Sequence, residues 1–251
     1  MKLYGKNPVL ERIKSNPRSI KKIYIETGHP ELAYLRMKAR KYGIVFIEVP
    51  RSKIAKLARN VNTQGILVDI DDFSYVPYAE LLEITVKKKM VLVFLDELND
   101  PQNLGGVMRS LACLGDFAMV LPTHHSVEVT EAVLRVACGG DNYLPVAKVS
   151  NLSQAIATAK ENGFWIAGTV TKDGQSIFET QFPFPLGFVI GSEQKGIREV
   201  IKKQLDVQLT IPVAHERMSL NAAQAASIIG YEVIKQRNRS KVNKNASTGN
   251  V

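Results

Sequence analysis

Three clusters of glycines and polar residues in this chain have the types and spacing to do chemistry. The first is Asn103-Leu104-Gly105-Gly106-Val107-Met108-Arg109. Leu104, Val107, Leu111 and Leu114 recur at helical spacing, so they mark a core-facing stripe. Arg109 stands roughly opposite Val107, and its neighbours on its own face are Gly105, Ala112 and Cys113. That is a face of very small residues, with room for something to lie against the backbone. The bland alternative is an arginine paired with a surface carboxylate. Two glycines near a helix start cost about 1 kcal/mol each relative to alanine, which makes that alternative less comfortable. Asn103 sits where an N-cap would.

The second cluster is Gly191-Ser192-Glu193-Gln194-Lys195-Gly196, after an apolar run that reads as a strand over 187–190. Ligands of open α/β sheets bind beyond the carboxyl ends of strands, and this loop is in such a place. Its glycines let a backbone approach a ligand closely. Glu193 either accepts hydrogen bonds from a site partner or favours the N-terminus of the next helix. The third cluster is Ile211-Pro212, then His215, then Ser219-Leu220-Asn221 opening a helix rich in alanine. Ser219 or Asn221 would cap that helix. Ala222, Ala223, Ala225 and Ala226 would let another helix or a loop come close, unless they serve only propensity. His215 alone reads as a solvent-facing loop residue. No G-x-G-x-x-G fingerprint occurs, which argues against an ordinary dinucleotide site.

These clusters need a scaffold, and the apolar pattern supplies one. Strands are predicted over 22–26, 44–49 and 65–70. Helices are predicted near Pro8, over 31–42 with Gly43 closing it, and over 53–59 with Ser52 as cap. That is a small α/β domain, 1–71. A linker with one short helix follows at 72–89. From 90 to 237, strands over 90–95, 117–121, 143–149, 164–168, 187–190 and 207–211 alternate with helices over 103–114, 127–137, 153–162, 196–203 and 222–236. Such alternation argues for a mostly parallel sheet covered on both faces. Residues 238–251 are polar and basic and read as a disordered tail.

Charge is unevenly placed. Residues 1–70 carry a balance of +10, 71–234 of −6, and 235–251 of +5. A polyanion would meet the two basic ends first, since phosphate neutralisation supplies most non-specific affinity for nucleic acid. No apolar run approaches the roughly 20 residues of a membrane span. Cys113 and Cys138 have neither disulfide nor zinc spacing, so a reducing cytoplasm is expected and no metal.

Taken in this order and at these spacings, the clusters resemble the SpoU/TrmH family of RNA ribose 2′-O-methyltransferases. Tyr4-Gly5-x-x-Pro8-Val9 and Gln64-Gly65-Ile66 resemble the opening and closing signatures of its small ribosomal-protein-like RNA-binding domain, so the likeness covers nearly the whole chain. The chain departs at Thr63, where many members have histidine, and at Gln224, where members usually carry a small or apolar residue. The resemblance implies a trefoil-knotted α/β domain. It also implies S-adenosylmethionine held by Gly191, Gly196, Ile211, Pro212 and Leu220, and a catalytic set of Asn103, Arg109, Glu193, Ser219 and Asn221. A homodimer with RNA as partner is expected. The implied reaction methylates a ribose, most like the members acting on a guanosine of large-subunit ribosomal RNA. A tRNA methyltransferase and a non-catalytic RNA-binding protein are the alternatives. Family proposals make the arginine a base. Arginine is rarely deprotonated, which suits Arg109 better to fixing the phosphate and ribose.

Overall fold

The computed structural model describes residues 1–58, 61–215 and 218–247. Residue 59, where the third helix is predicted to end, and residues 248–251 of the predicted tail lie outside them.

The N-terminal unit is a four-stranded sheet ordered β1-β4-β2-β3, from β1 (Lys2–Tyr4), β2 (Ile20–Glu26), β3 (Val45–Val49) and β4 (Ile66–Ile70). Only β2 and β3 pair in parallel. Helices α1 (Lys6–Ser15) and α2 (Leu32–Tyr42) bury Val9, Ile13, Leu35 and Ala39 against Ile23, Ile25, Ile66 and Val68. The third helix, α3 (Arg51–Leu57), packs on β2 and buries Ile54. It starts one residue after Pro50, whose fixed φ makes the turn, so Ser52 lies inside it and caps nothing.

The larger unit holds a seven-stranded sheet ordered β7-β6-β5-β10-β8-β11-β9. In chain order its elements are α4 (Tyr78–Lys88), β5 (Val91–Asp96), α5 (Pro101–Leu114), β6 (Phe117–Pro122), α6 (Glu131–Ala137), β7 (Val146–Val149), α7 (Leu152–Glu161), β8 (Trp165–Thr169), β9 (Gln175–Ser176), β10 (Leu186–Gly191), α8 (Glu199–Lys202), β11 (Val207–Thr210) and α9 (Ala222–Ser247). Every strand pair in this sheet is parallel. Such sheets are buried on both faces, and β5 and β6 are buried along their whole length. The alternation is clean. Val91, Val93, Leu95, Phe117 and Met119 point to the face covered by α5, α6 and α9. Leu92, Phe94, Ala118 and Val120 point to the face covered by α4 and α7.

Several boundaries differ from expectation for local reasons. Asp100 caps α5 by accepting from Gln102 N at 2.8 Å, and Pro101 takes the first helical position, so Asn103 is inside the helix and is not its cap. Thr130 caps α6, which therefore begins at Glu131 and not near 127. A 3-10 turn over Gly140–Asn142 delays β7 to Val146. The stretch expected to link the units carries α4, which lies on β6 and β7; its Tyr78 Oη donates to Ala155 O at 2.6 Å. The last helix runs on through Ser247, past residue 238 where the tail is expected to begin.

Two features position the site. First, β10 inserts between β5 and β8, and Gly191 pairs in register with Asp96, so the loops leaving β5 and β10 rise side by side. Second, after β11 near the far edge, the chain returns to lay α9 on α5 and β10. The two units share one apolar core: β1 and α1 pack on α6, and Lys2 N donates to Glu131 Oε1 at 2.5 Å.

Candidate active site

The loop after β10 is tied into a tight hairpin. Ser192 N donates to Gly196 O at 3.2 Å and Gly196 N to Ser192 O at 2.8 Å. A Cβ on Gly191 would collide with the backbone of Gly196 and Ile197, so only glycine allows this closure. Glu193, Gln194 and Lys195 are left exposed at the tip.

A clamp that sequence reasoning missed anchors the base of this hairpin. Asp96, fully buried at the end of β5, accepts Arg198 N at 2.8 Å on one oxygen and Arg198 Nε at 2.7 Å on the other. An Nη of Arg198 lies 2.7 Å from the same carboxylate, and Glu97 stands 3.5 Å from the other Nη. The clue was an aspartate ending an otherwise apolar strand. The fork geometry of arginine is what a two-oxygen acceptor matches.

The first two motifs meet. Asn103 Nδ2 donates to Glu193 Oε1, which joins the first turn of α5 to the hairpin tip. Arg109 is exposed, and among the described residues no carboxylate or hydrogen-bond partner engages it. The glycines before it have another role than expected. A Cβ on Gly105 would stand 2.5 Å from Val136 Cβ, and one on Gly106 2.8 Å from Ala223 Cβ. They are filled by α6 and α9, not left open for a ligand; Gly140 packs over Ala112 in the same way. What the small residues provide is close helix packing that holds Arg109 from behind.

The third motif opens α9. Asn221 Oδ1 accepts from Gln224 N at 2.8 Å, while Gln224 Oε1 accepts from Asn221 N at 3.2 Å. This is a capping box, so the family departure at Gln224 supplies the helix start. Ser219 is exposed and caps nothing. The alanines serve close approach: Ala223 meets Gly106, and Ser227 Oγ bonds Ser110 Oγ at 2.7 Å. Ile211 and Leu220 are half-buried, and Pro212 and His215 are exposed. Glu216 and Arg217 of the same loop lie outside the described residues.

A parallel sheet with a glycine-closed hairpin at the carboxyl ends of its strands, packed on a smaller basic α/β unit, defines a two-unit α/β protein with a loop-built site. Comparison with known proteins narrows this. Residues 90–231 match the SpoU rRNA Methylase family, and residues 2–76 match the domain described as RNA 2′-O ribose methyltransferase substrate binding. YacO of Bacillus subtilis, named for the TrmH family of tRNA/rRNA methyltransferases, is 32% identical over 93% of this chain and 95% of its own. A tRNA/rRNA methyltransferase of Synechocystis, itself uncharacterised, is 35% identical over 94% of this chain, which spans only 62% of that longer protein. The chain belongs to the SpoU/TrmH family of RNA methyltransferases. In fold it matches AviRb of Streptomyces viridochromogenes, a SpoU methyltransferase solved with AdoMet, at TM-score 0.76 and 21% identity over 95% of this chain and 91% of that one. An AdoMet-bound rRNA methyltransferase of Sinorhizobium meliloti gives 0.76 and 21% over 92% and 85%.

Proposed function

We propose that this protein transfers the methyl group of S-adenosylmethionine to a ribose 2′-hydroxyl of RNA, in a guanosine of large-subunit ribosomal RNA. The observation that carries this is the Asn103–Glu193 bond, which joins the first two motifs on the helix that carries the exposed Arg109.

The chemistry of the loops fits the cofactor. Gly196 has open space where a Cβ would stand, Ile211 and Leu220 are half-buried apolar residues, and Gly191 and Pro212 are assigned to the same cofactor site. S-adenosylmethionine would supply there a sulfonium methyl that a nucleophile can displace. A ribose hydroxyl is a poor nucleophile and depends on orientation. The planar, five-donor fork of a guanidinium suits Arg109 to holding the adjoining phosphate and ribose rather than to taking the proton. In this reading Glu193, held by Asn103, orients the hydroxyl, and Ser219 and Asn221 are assigned to the same task. The return of α9 past β10 to α5 is the crossing at which the implied knot would close.

The basic N-terminal unit supports RNA as substrate, and its presence favours the ribosomal reading over the tRNA one. Among the described residues no helix is long and apolar enough to cross a membrane. Both cysteines are free, which suits a reducing cytoplasm. A two-fold homodimer goes with this reading; Ile228 and Tyr231 on α9 and Met218 before it offer an exposed apolar face. The test is transfer of labelled methyl from S-adenosylmethionine to ribosomal RNA and to tRNA, with the product mapped. Transfer to a ribose 2′-oxygen that vanishes in Arg109→Ala is expected. Full activity of Arg109→Lys would remove the need for a planar guanidinium. Absence of any transfer would favour a non-catalytic RNA-binding role.

A further inference from the structure

The seam between the two units holds a buried ion pair that the reaction above does not use. Arg12, on α1 of the N-terminal unit, is 6% exposed, and it pairs with Asp141 in the turn before β7. Two more contacts tie the same turn to α1. Tyr143 Oη donates to Glu11 Oε1 at 2.6 Å, and the side-chain stem of Glu11 presses on the backbone of Gly139, where φ is +94° and no Cβ would fit. The turn's other side rests on the helix of Arg109. A Cβ on Gly140 would lie 3.0 Å from Met108 O and 3.1 Å from Arg109 Cα. So α1, the turn and the backbone of Arg109 are in close contact through Gly139 and Gly140.

The pair is not needed to hold the units together, because an apolar core already runs across the seam. Buried ion pairs are weak sources of stability, since desolvation offsets their attraction, but they tolerate few geometries. Burial holds the Asp141 carboxyl above the usual carboxylate range, outweighing the opposing pull of the Arg12 guanidinium.

We propose that Asp141 is a positioning residue: through the turn over 139–142 it fixes Arg109 relative to the substrate-binding unit, so the protein acts as a ruler between the RNA element bound there and the ribose that is methylated. This rests on Arg109 holding that ribose. A loosened ruler lowers turnover and lets the mark stray to neighbouring nucleotides, while the hairpin after β10 keeps its own Ser192–Gly196 bonds and the Asp96–Arg198 clamp.

The experiment compares wild type, Asp141→Asn, Asp141→Glu and the double apolar variant Arg12→Met/Asp141→Leu, all as the full chain. Each is given labelled S-adenosylmethionine and an unmodified large-subunit ribosomal RNA transcript, and the methylated riboses are mapped by nucleotide. Cofactor affinity and thermal unfolding are measured alongside. The expected result is cofactor affinity within twofold of wild type, at least a tenfold fall in kcat with KM for RNA little changed, and methylation spread to adjacent riboses. The double variant keeps the seam packed if Asp141→Asn alone fails to fold. Folded variants that methylate one ribose at the wild-type rate would overturn the ruler and leave the enzymatic reading standing. Wild-type protein that binds cofactor but methylates no RNA would overturn both.

Discussion

Asp96→Asn puts the clamp under the cofactor hairpin to a direct test. Three donors of Arg198 converge on the Asp96 carboxylate within 2.8 Å, and the carboxylate has no exposure. Asparagine keeps the volume but turns one acceptor oxygen into an NH2, so at least one donor then faces another donor. Breaking a fully buried pair by removing one partner costs about 3–5 kcal/mol. Arg198 is 39% exposed, so water recovers part of that loss. A remainder of about 2–3 kcal/mol falls on the hairpin, because Asp96 itself is held inside the sheet. At 1.4 kcal/mol per tenfold, the closed hairpin loses population by roughly 30- to 140-fold relative to the open one. Apparent Kd for S-adenosylmethionine rises by up to that factor, since only the closed form binds. Calorimetric titration with S-adenosylmethionine reads this, and thermal unfolding checks that the sheet survives. A folded Asp96→Asn protein with Kd within about twofold of wild type would refute the clamp.

Gly191→Ala forces a Cβ into the backbone of Gly196 and Ile197, so cofactor binding is expected to be lost in a folded protein; titration with S-adenosylmethionine decides it. Asn221→Ala removes the cap of α9 and leaves Gln224 without its reciprocal partner, a loss of about 1 kcal/mol readable as a lower urea midpoint. Tyr78 is the alkaline handle. Burial pushes its hydroxyl above the ordinary value of 10.0, so its bond to Ala155 contributes fully below that pH and is lost as pH rises through the folded value. Tyr78→Phe is therefore expected to cost about 1 kcal/mol at pH 8 and progressively less in strongly alkaline urea melts; an equal cost at every pH would count against it.

What could be read from the sequence was what local pattern encodes. The continuous apolar runs of β5 and β6 announced a doubly covered sheet, because every position there meets a core. The two- and three-residue strands β9 and β1 left no pattern to find. Asp100-Pro101 carried a plain helix-start signal, yet Asn103 drew attention instead, and its side chain turned out to serve the hairpin. The glycines at 105 and 106 were legible as demanding close approach but not as to what approaches, since Val136 and Ala223 are set by topology. Asp96 and Arg198 stand 102 positions apart, and Arg12 and Asp141 129 apart. No periodicity links residues at such distances; only the inserted strand and the seam bring them together.

The close seating of α9 on α5 has a consequence for how the protein comes into being. As the chain leaves the ribosome, β5, α5 and β6 emerge more than a hundred residues before α9, and nascent segments begin to fold in that order. Until residue 222 and those after it are made, the stripe of α5 that carries Gly106, Ser110 and Leu114 has no cover. The growing polypeptide thus holds a half-finished apolar groove open for the time it takes to translate the intervening strands, and the helix that fills the groove is the one that carries the third motif at its start. Completion of the core and completion of the site are a single late event in synthesis.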